Sequence, residues 1–491
     1  MNKTIKITNK DNVIVALVDL KKGETIDNIT LLEDIPCGHK IAIEDISKDD
    51  NIIKYGYPIG HALIDIKVGQ HVHVHNIKTN LKEQLSYSYN PIFDEIENYT
   101  SDRNVNVFKR KFNRFGIRNE LFIVPLVGCV NSQANLIKNR LEKELDISKI
   151  DGITVLSHPY GCSQMGDDQD NTIKMLQQIV KHPNAGGVLV LALGCENNQL
   201  EYFKDTLNEY DEGRVSFLKC QDVEDEVEVG FNLCKELYNK MILDKRTSAP
   251  LSVINIGLKC GGSDGFSGIS ANPLVGMISD FIVSNGGSTI LSEVPEMFGA
   301  EQVLMQRAKD EETFNKIVKL INDFKQYYED HHQVCYENPS PGNKKGGITT
   351  LEDKSLGCVQ KSGLSKVVDV LYIGDKITCQ GLNLLNGPGN DMVACSSLGA
   401  IGAHLILFTT GRGTPFGTFV PTIKISTNTL LSVKKENWID FNAGKIVDGI
   451  DKNIVFNEFV ELIIDVINGK KTKNEINNFK EIAIFKNGVT L

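Results

Sequence analysis

Three apolar runs in the middle of the chain each stop at a glycine-rich turn that carries a cysteine. Ile153 to Ser157 runs into His158-Pro159-Tyr160-Gly161-Cys162, Val188 to Leu193 into Gly194-Cys195-Glu196-Asn197, and Leu251 to Leu258 into Lys259-Cys260-Gly261-Gly262-Ser263-Asp264. Short runs rich in Val, Ile and Leu read as buried parallel strands, and ligands in such sheets sit beyond the strand carboxyl ends. The cysteines therefore stand where chemistry is expected, beside imidazole and carboxylate groups that complete a ligand set for iron or zinc. These turns support an enzyme active site that depends on a metal.

A chain of 491 residues is too long for one core and suggests about three domains. Net charge is -10 with no long basic run, which argues against nucleic acid and anionic membrane as partners. No stretch approaches the roughly 20 apolar residues of a membrane span, and Met1 to Ile7 lacks the apolar core of a signal peptide, so the expected location is the cytoplasm. The 11 cysteines are an odd count without a secretory signal and read as thiols, not disulfides. Cys220, Cys234, Cys335, Cys358 and Cys379 fall in no glycine-rich turn and read as small buried hydrophobes.

Residues 1–78 alternate short strands with turn glycines, as a small β-rich module with its own core would. Residues 79–106 are polar, spotted with Tyr87, Tyr89 and Tyr99, and read as a linker wrapped over a surface. Residues 107–247 and 248–491 each alternate apolar runs with helical patterns near 131–145, 171–180, 222–243, 300–328 and 457–467, which implies two α/β domains with mainly parallel sheets. Thr247-Ser248-Ala249-Pro250 marks the boundary between them.

Four further constellations carry candidate chemistry. His71, His73 and His75 alternate and would share one strand face, either binding a metal or carboxylate or forming a polar solvent face. Cys37-Gly38-His39-Lys40 sets an acid–base group and a cation side by side at a turn. The loop Asn338 to Gly347 is too rich in proline and glycine for helix or central strand; it either covers a surface or carries donors to an anion. Arg412, in Thr410-Gly411-Arg412-Gly413-Thr414-Pro415, offers a planar fork for a carboxylate or for a structural ion pair. No dinucleotide fingerprint or Walker loop is present in the sequence.

In Gly38-His39-Lys40, His158 to Cys162, Gly194-Cys195-Glu196, Cys260 to Asp264, Asn338 to Gly347, Thr410 to Pro415 and the closing Ala483 to Leu491, the chain resembles the altronate and galactarate dehydratase family of sugar-acid hydro-lyases over essentially its whole length. His71 to Asn76, Gly161 to Asp168, Glu196 to Gln199 and Val294 to Ala300 are similar to the altronate branch more than to the galactarate branch. The resemblance implies an N-terminal SAF-type β-clip domain, two family-specific domains and a need for Fe2+. It also implies dehydration of D-altronate to 2-dehydro-3-deoxy-D-gluconate and water in hexuronate (galacturonate) breakdown. Galactarate, another aldarate or aldonate, or a sulfo-lyase-type reaction is the alternative.

On this reading Cys162, Cys195 and Cys260, with His158 or Glu196, hold the metal. His39 or a histidine of the 71–75 stretch, His73 or His75 included, is the general acid or base, with Lys40 or Tyr160 as the alternative. Arg412, Lys344 and the Asn343 amide hold the substrate carboxylate, with Thr414 beside them. Three thiolates suit an iron-sulfur cluster with one open iron as well as a single ferrous ion, and Mn2+ is a substitute. A zinc hydrolase and a metal-free sugar-acid sensor are the rival classes; assembly as a homodimer is open.

Overall fold

The apolar runs fold as strands wherever both faces can be covered. The structure, a computed structural model, describes residues 2–81, 86–97, 99–334 and 338–488; Cys335 and the closing Val489-Thr490-Leu491 lie outside the described residues.

At the N-terminus β1 (Thr4–Ile5), β2 (Val13–Ala16) and β3 (Lys40–Ala42) run antiparallel. The hairpin β4 (Asn51–Lys54) and β5 (Tyr57–Ala62) follows, then β6 (His71–Val72), which joins β3, and β7 (Ile77–Lys78), which joins β5. Two small sheets result, β1-β2-β3-β6 and β4-β5-β7. The expected histidine strand ends at Val72, and His73 to Asn76 form a turn. The module does not keep its core to itself: Val13, Ile52, Ile59 and Val72 belong to the same apolar cluster as Met297, Leu351 and Leu356 of the C-terminal domain.

The linker lies on that domain through its tyrosines. Tyr87 donates to Glu301 Oε1 at 2.6 Å, while Tyr89 packs on Phe314 and Tyr99 on Phe456. Its last residues enter β8 (Asn104–Lys109).

The second domain is a parallel sheet built from β9 (Glu120–Pro125), α1 (Asn131–Glu144), β10 (Gly152–Val155), α2 (Asp167–Val180), β11 (Ala185–Ala192), β12 (Val215–Lys219) and α3 (Glu226–Met241), in the order β10-β9-β11-β12. The chain leaves through β13 (Arg246–Pro250), antiparallel to β8. The stretch expected to be a plain boundary is thus a strand, because its partner lies about 140 residues earlier, a pairing that local pattern does not reveal.

The C-terminal domain holds β14 (Asn255–Cys260), α4 (Ala271–Ser284), β15 (Ser288–Leu291), α5 (Glu311–Asp330), α6 (Leu351–Val359), β16 (Val367–Leu371), β17 (Leu382–Leu385), α7 (Asp391–Ala400), β18 (Leu405–Thr410), β19 (Thr422–Ser426), β20 (Phe441–Asn442) and α8 (Lys452–Ile467). Its seven strands are parallel in the order β16-β17-β15-β14-β18-β19-β20. The helical pattern at 300–328 divides into Glu301–Met305 and α5. Between them Lys309 N–H bonds Val367 O, and Asp310 then caps α5 through Thr313 N. Phe314, Ile317, Leu320, Ile321 and Phe324 form the buried stripe of α5.

The second domain is clamped to the C-terminal one by Arg118, fully buried, whose guanidinium meets both carboxylate oxygens of Glu475 at 2.6 and 2.9 Å. No described helix is long and apolar enough to cross a membrane.

Candidate active site

Chemistry-bearing residues gather at the carboxyl edge of the seven-stranded sheet, where the N-terminal module closes over it. The turn at Gly38 reaches the β14 turn and the 338–347 loop main chain to main chain. A Cβ on Gly265 would sit 2.1 Å from Gly38 O and one on Gly347 2.2 Å from the same oxygen, so only glycine permits the approach. Gly265 N–H also donates to Gly346 O at 2.7 Å.

His39 follows that turn. Its Nε2 lies 3.3 Å from Lys345 O and its Nδ1 2.9 Å from His71 Nε2. A nitrogen facing a carbonyl must donate, so the neutral ring accepts at Nδ1 and His71 carries its proton on Nε2. Burial holds His39 below the ordinary imidazole range. Burial, with His39, His73 and His75 beside it, pushes His71 down to about 3; burial and Lys40 push His73 down to about 4. Ring centroids of the four histidines lie 4.6 to 5.5 Å apart across their contacts. The Lys344 backbone beside His73 works against that fall, and His73 Nδ1 is a buried atom without a hydrogen-bond partner. Glu33, His71 and His75 bring one ligand atom each within 4.8 Å of one another.

Lys40 is not the free acid or base its neighbours suggested. Its fully buried ammonium donates to Gly347 O at 2.7 Å and Asp353 at 2.8 Å, and Lys54 takes the other Asp353 oxygen at 2.9 Å. Burial alone would raise Asp353, but the two ammonium groups hold it well below the carboxylate range. Asn343 is likewise committed: its Oδ1 accepts from Ser340 and its Nδ2 donates to Ser263 O at 2.8 Å, fixing the loop to the β14 turn. Thr414 Oγ1 accepts from Phe416 N at 3.2 Å. Lys344 is half-buried and Arg412 exposed, the latter anchored by its backbone N–H to Gly262 O at 2.9 Å. Beneath them Asp264, raised by burial, accepts from Ser267, Thr427, Asn428 and the Phe266 N–H.

The metal set expected from the three cysteine turns does not assemble. Cys260 is buried at the end of β14, whereas Cys162 and Cys195 are exposed at strand ends of the second domain. His158 spends Nε2 on Pro125 O at 2.8 Å and Nδ1 on Tyr160 N–H at 3.1 Å, so both ring nitrogens serve the turn. Glu196 accepts from the Leu193 and Gly194 N–H groups, another turn-forming use. Tyr160 stacks on His158 instead of joining the histidines.

Cys260 has other company. Its sulfur lies 3.3 Å from Cys358, 3.2 Å from Glu296 and 2.8 Å from Lys361 Nζ. Glu293 pairs with Lys259 and Lys361, Glu296 with Lys354, and Lys259 with Asp391. Burial raises Glu296, yet Lys354, Lys259 and Lys361 outweigh it and keep the carboxylate ionised. Cys358, expected to be a packing thiol, is therefore part of a buried charged network; the Cys260 sulfur and burial hold it protonated. Sequence reading gave no role to Glu293, Glu296, Lys354 or Lys361: Lys354 lies on α6, which buries its charged residues all round, against helical periodicity, and the others lie in the short turns at 293–296 and 360–362.

A cleft of about 530 Å³, lined by Ser252, Asn255, Ser288 and His404, lies at the amino ends of the strands, the edge ligands avoid.

Fold and site together define the class: a multidomain α/β enzyme with its chemistry at a sheet's carboxyl edge under a β-rich cap. Family models for the altronate/galactarate dehydratase SAF domain, the second domain of D-galactarate dehydratase/altronate hydrolase, and the D-galactarate/altronate dehydratase C-terminal domain match residues 2–80, 107–242 and 251–490. The chain belongs to the D-galactarate/altronate dehydratase family. It is 54% identical to the altronate dehydratase of Escherichia coli K12 over 99% of both chains, and 55% identical to that of Bacillus subtilis 168 over 100% of both. It is 33% identical to the E. coli galactarate dehydratase (L-threo-forming), over 95% of this chain and 93% of that one.

Proposed function

We propose that this enzyme removes water from D-altronate to give 2-dehydro-3-deoxy-D-gluconate, a step of hexuronate breakdown inside the cell. The observation that carries the substrate is the end-to-end identity of 54 and 55% with two altronate dehydratases, against 33% with the galactarate enzyme.

The residues at the seam suit the reaction. The Arg412 fork and the Lys344 ammonium, flanking the β14 turn, bind the C1 carboxylate. His73 Nδ1, unpartnered and neutral, takes the C2 proton. The resulting imidazolium returns it to the departing C3 oxygen; C2–H and C3–O break, water leaves, and the enol ketonises at C2. His39 is a positioning residue, since both its nitrogens are engaged. Glu33, His71 and His75 fit the ferrous ion the family implies, because two imidazoles and a carboxylate are a ferrous ligand set and His71 would coordinate through Nδ1 while giving Nε2–H to His39. When bound, the metal would supply Lewis acidity for the developing enolate.

The test is turnover by protein supplied with ferrous ion and reductant on D-altronate, galactarate and a panel of aldonates, with detection of the 2-keto-3-deoxy product. Preference for galactarate overturns the substrate; no turnover of any sugar acid overturns the reaction.

A further inference from the structure

The exposed thiols of the second domain have no part in the seam, yet they are not scattered. Cys129 lies in the helical turn Gly128–Val130 after β9, Cys162 in the turn after β10, and Cys195 in the turn after β11. Those strands are adjacent in the sheet and parallel, so all three turns emerge at one carboxyl edge. The turns are also knitted together. Gly128 N–H donates to Tyr160 O at 2.9 Å, Asn197 and Asn198 N–H donate to Gly161 O at 3.1 and 3.2 Å, and Ser163 N–H donates to Asn197 Oδ1 at 2.7 Å. Gly161, at φ +98°, is pressed so close that a Cβ would meet Leu126 O at 2.1 Å. Asn131 Nδ2 and Asn198 Nδ2 tie down His158 O and Leu126 O.

Packing does not explain these sulfurs. Cys220, Cys234 and Cys395 are buried as small hydrophobes are, whereas Cys129, Cys162 and Cys195 are all exposed. Their sulfurs are not all within 4.8 Å of one another, the closeness that a single tetrahedral ion with metal–sulfur bonds of about 2.3 Å demands. A cluster spreads its thiolates around several irons and suits wider spacing. The Gln221 amide lies 3.5 Å from Cys195 Sγ, the kind of N–H contact that tunes cluster thiolates.

We propose that Cys129, Cys162 and Cys195 ligate an iron-sulfur cluster with one iron left free for an oxygen ligand, a centre separate from the ferrous set at the seam. A cleft of about 380 Å³ lies along α2, the helix after the Cys162 turn, bordered by its Asn171 and Lys174 and by Asn386, Gly387 and Pro388 at the carboxyl end of β17.

The experiment is anaerobic reconstitution of the full chain with ferrous iron and sulfide, reading iron, acid-labile sulfide and visible absorption before any substrate is added. Wild-type protein should hold about four sulfides per chain and about four irons besides the one at the seam. Cys129→Ser, Cys162→Ser and Cys195→Ser should each lose the sulfide and the absorption while melting as cooperatively as wild type. Cys379→Ser and His71→Ala should keep both. Sulfide retained by any one of the three variants, or iron bound by wild type without sulfide, overturns the site. Because the readout needs no sugar acid, an intact cluster on a protein inert toward altronate would sink the activity and leave the site standing.

Discussion

His71 Nε2 lies 2.9 Å from His39 Nδ1, a hydrogen bond between two imidazoles that is lost once both rings are protonated. Burial has brought His71 to about 3 and His73 to about 4, against about 6.5 for an unfolded histidine. Between those values the unfolded chain binds more protons, so stability rises with pH. The contribution is complete above about pH 6.5 and should drain away as pH falls toward 4 and then 3. Melting temperatures of metal-free protein from pH 7.5 to 4 should fall more steeply for wild type than for His71→Asn/His73→Asn. Equal slopes would show that these rings do not govern the acid limb.

Removing the charge shared by Lys40 and Lys54 should be severe. Asp353→Asn leaves two buried ammonium groups without a counter-ion, a loss of about 3–5 kcal/mol. Denaturant midpoints read it directly; a loss under about 1 kcal/mol would mean that water reaches the pair.

The acid–base assignment separates kcat from KM. His73→Gln should lower kcat by about 10²- to 10⁴-fold with iron content unchanged, whereas Arg412→Ala should act first on KM. A His73 variant with normal kcat returns the role to another histidine.

Truncation before residue 79 should not yield a soluble core. It strips Val13, Ile52 and Ile59 from a shared apolar cluster and leaves Asp353 without either lysine. Size-exclusion profiles of the truncated chain should show aggregation, and a monodisperse, cooperatively melting product would restore the picture of an independent module.

Strand runs such as Val188 to Leu193, the helix of Asn131 to Glu144 and the strand-end cysteines were readable because periodicity and turn chemistry are local properties of the chain. Local reading also found His39, His71, His73, Lys344 and Arg412, each beside a turn glycine or in an alternating run, and the tertiary structure brought them to one edge. What each side chain does was decided by packing. Lys40 looks like Lys344 in sequence, but it is sealed against Asp353 while Lys344 is only half-buried. His158 and Glu196 look like ligands, but their lone pairs fold their own turns. Cys358 has no local signal, and only the crossing of α6 past β14 sets it against Cys260. Cys162 was visible in its turn, but its partnership with Cys129 depends on strand order, which is set by the burial of both sheet faces and by parallel pairing between distant segments. Sequence alone thus determined the chain's local elements and its stock of reactive groups. Tertiary structure determined which groups keep a free lone pair, because hydrogen-bond satisfaction and burial are properties of the neighbours a side chain meets.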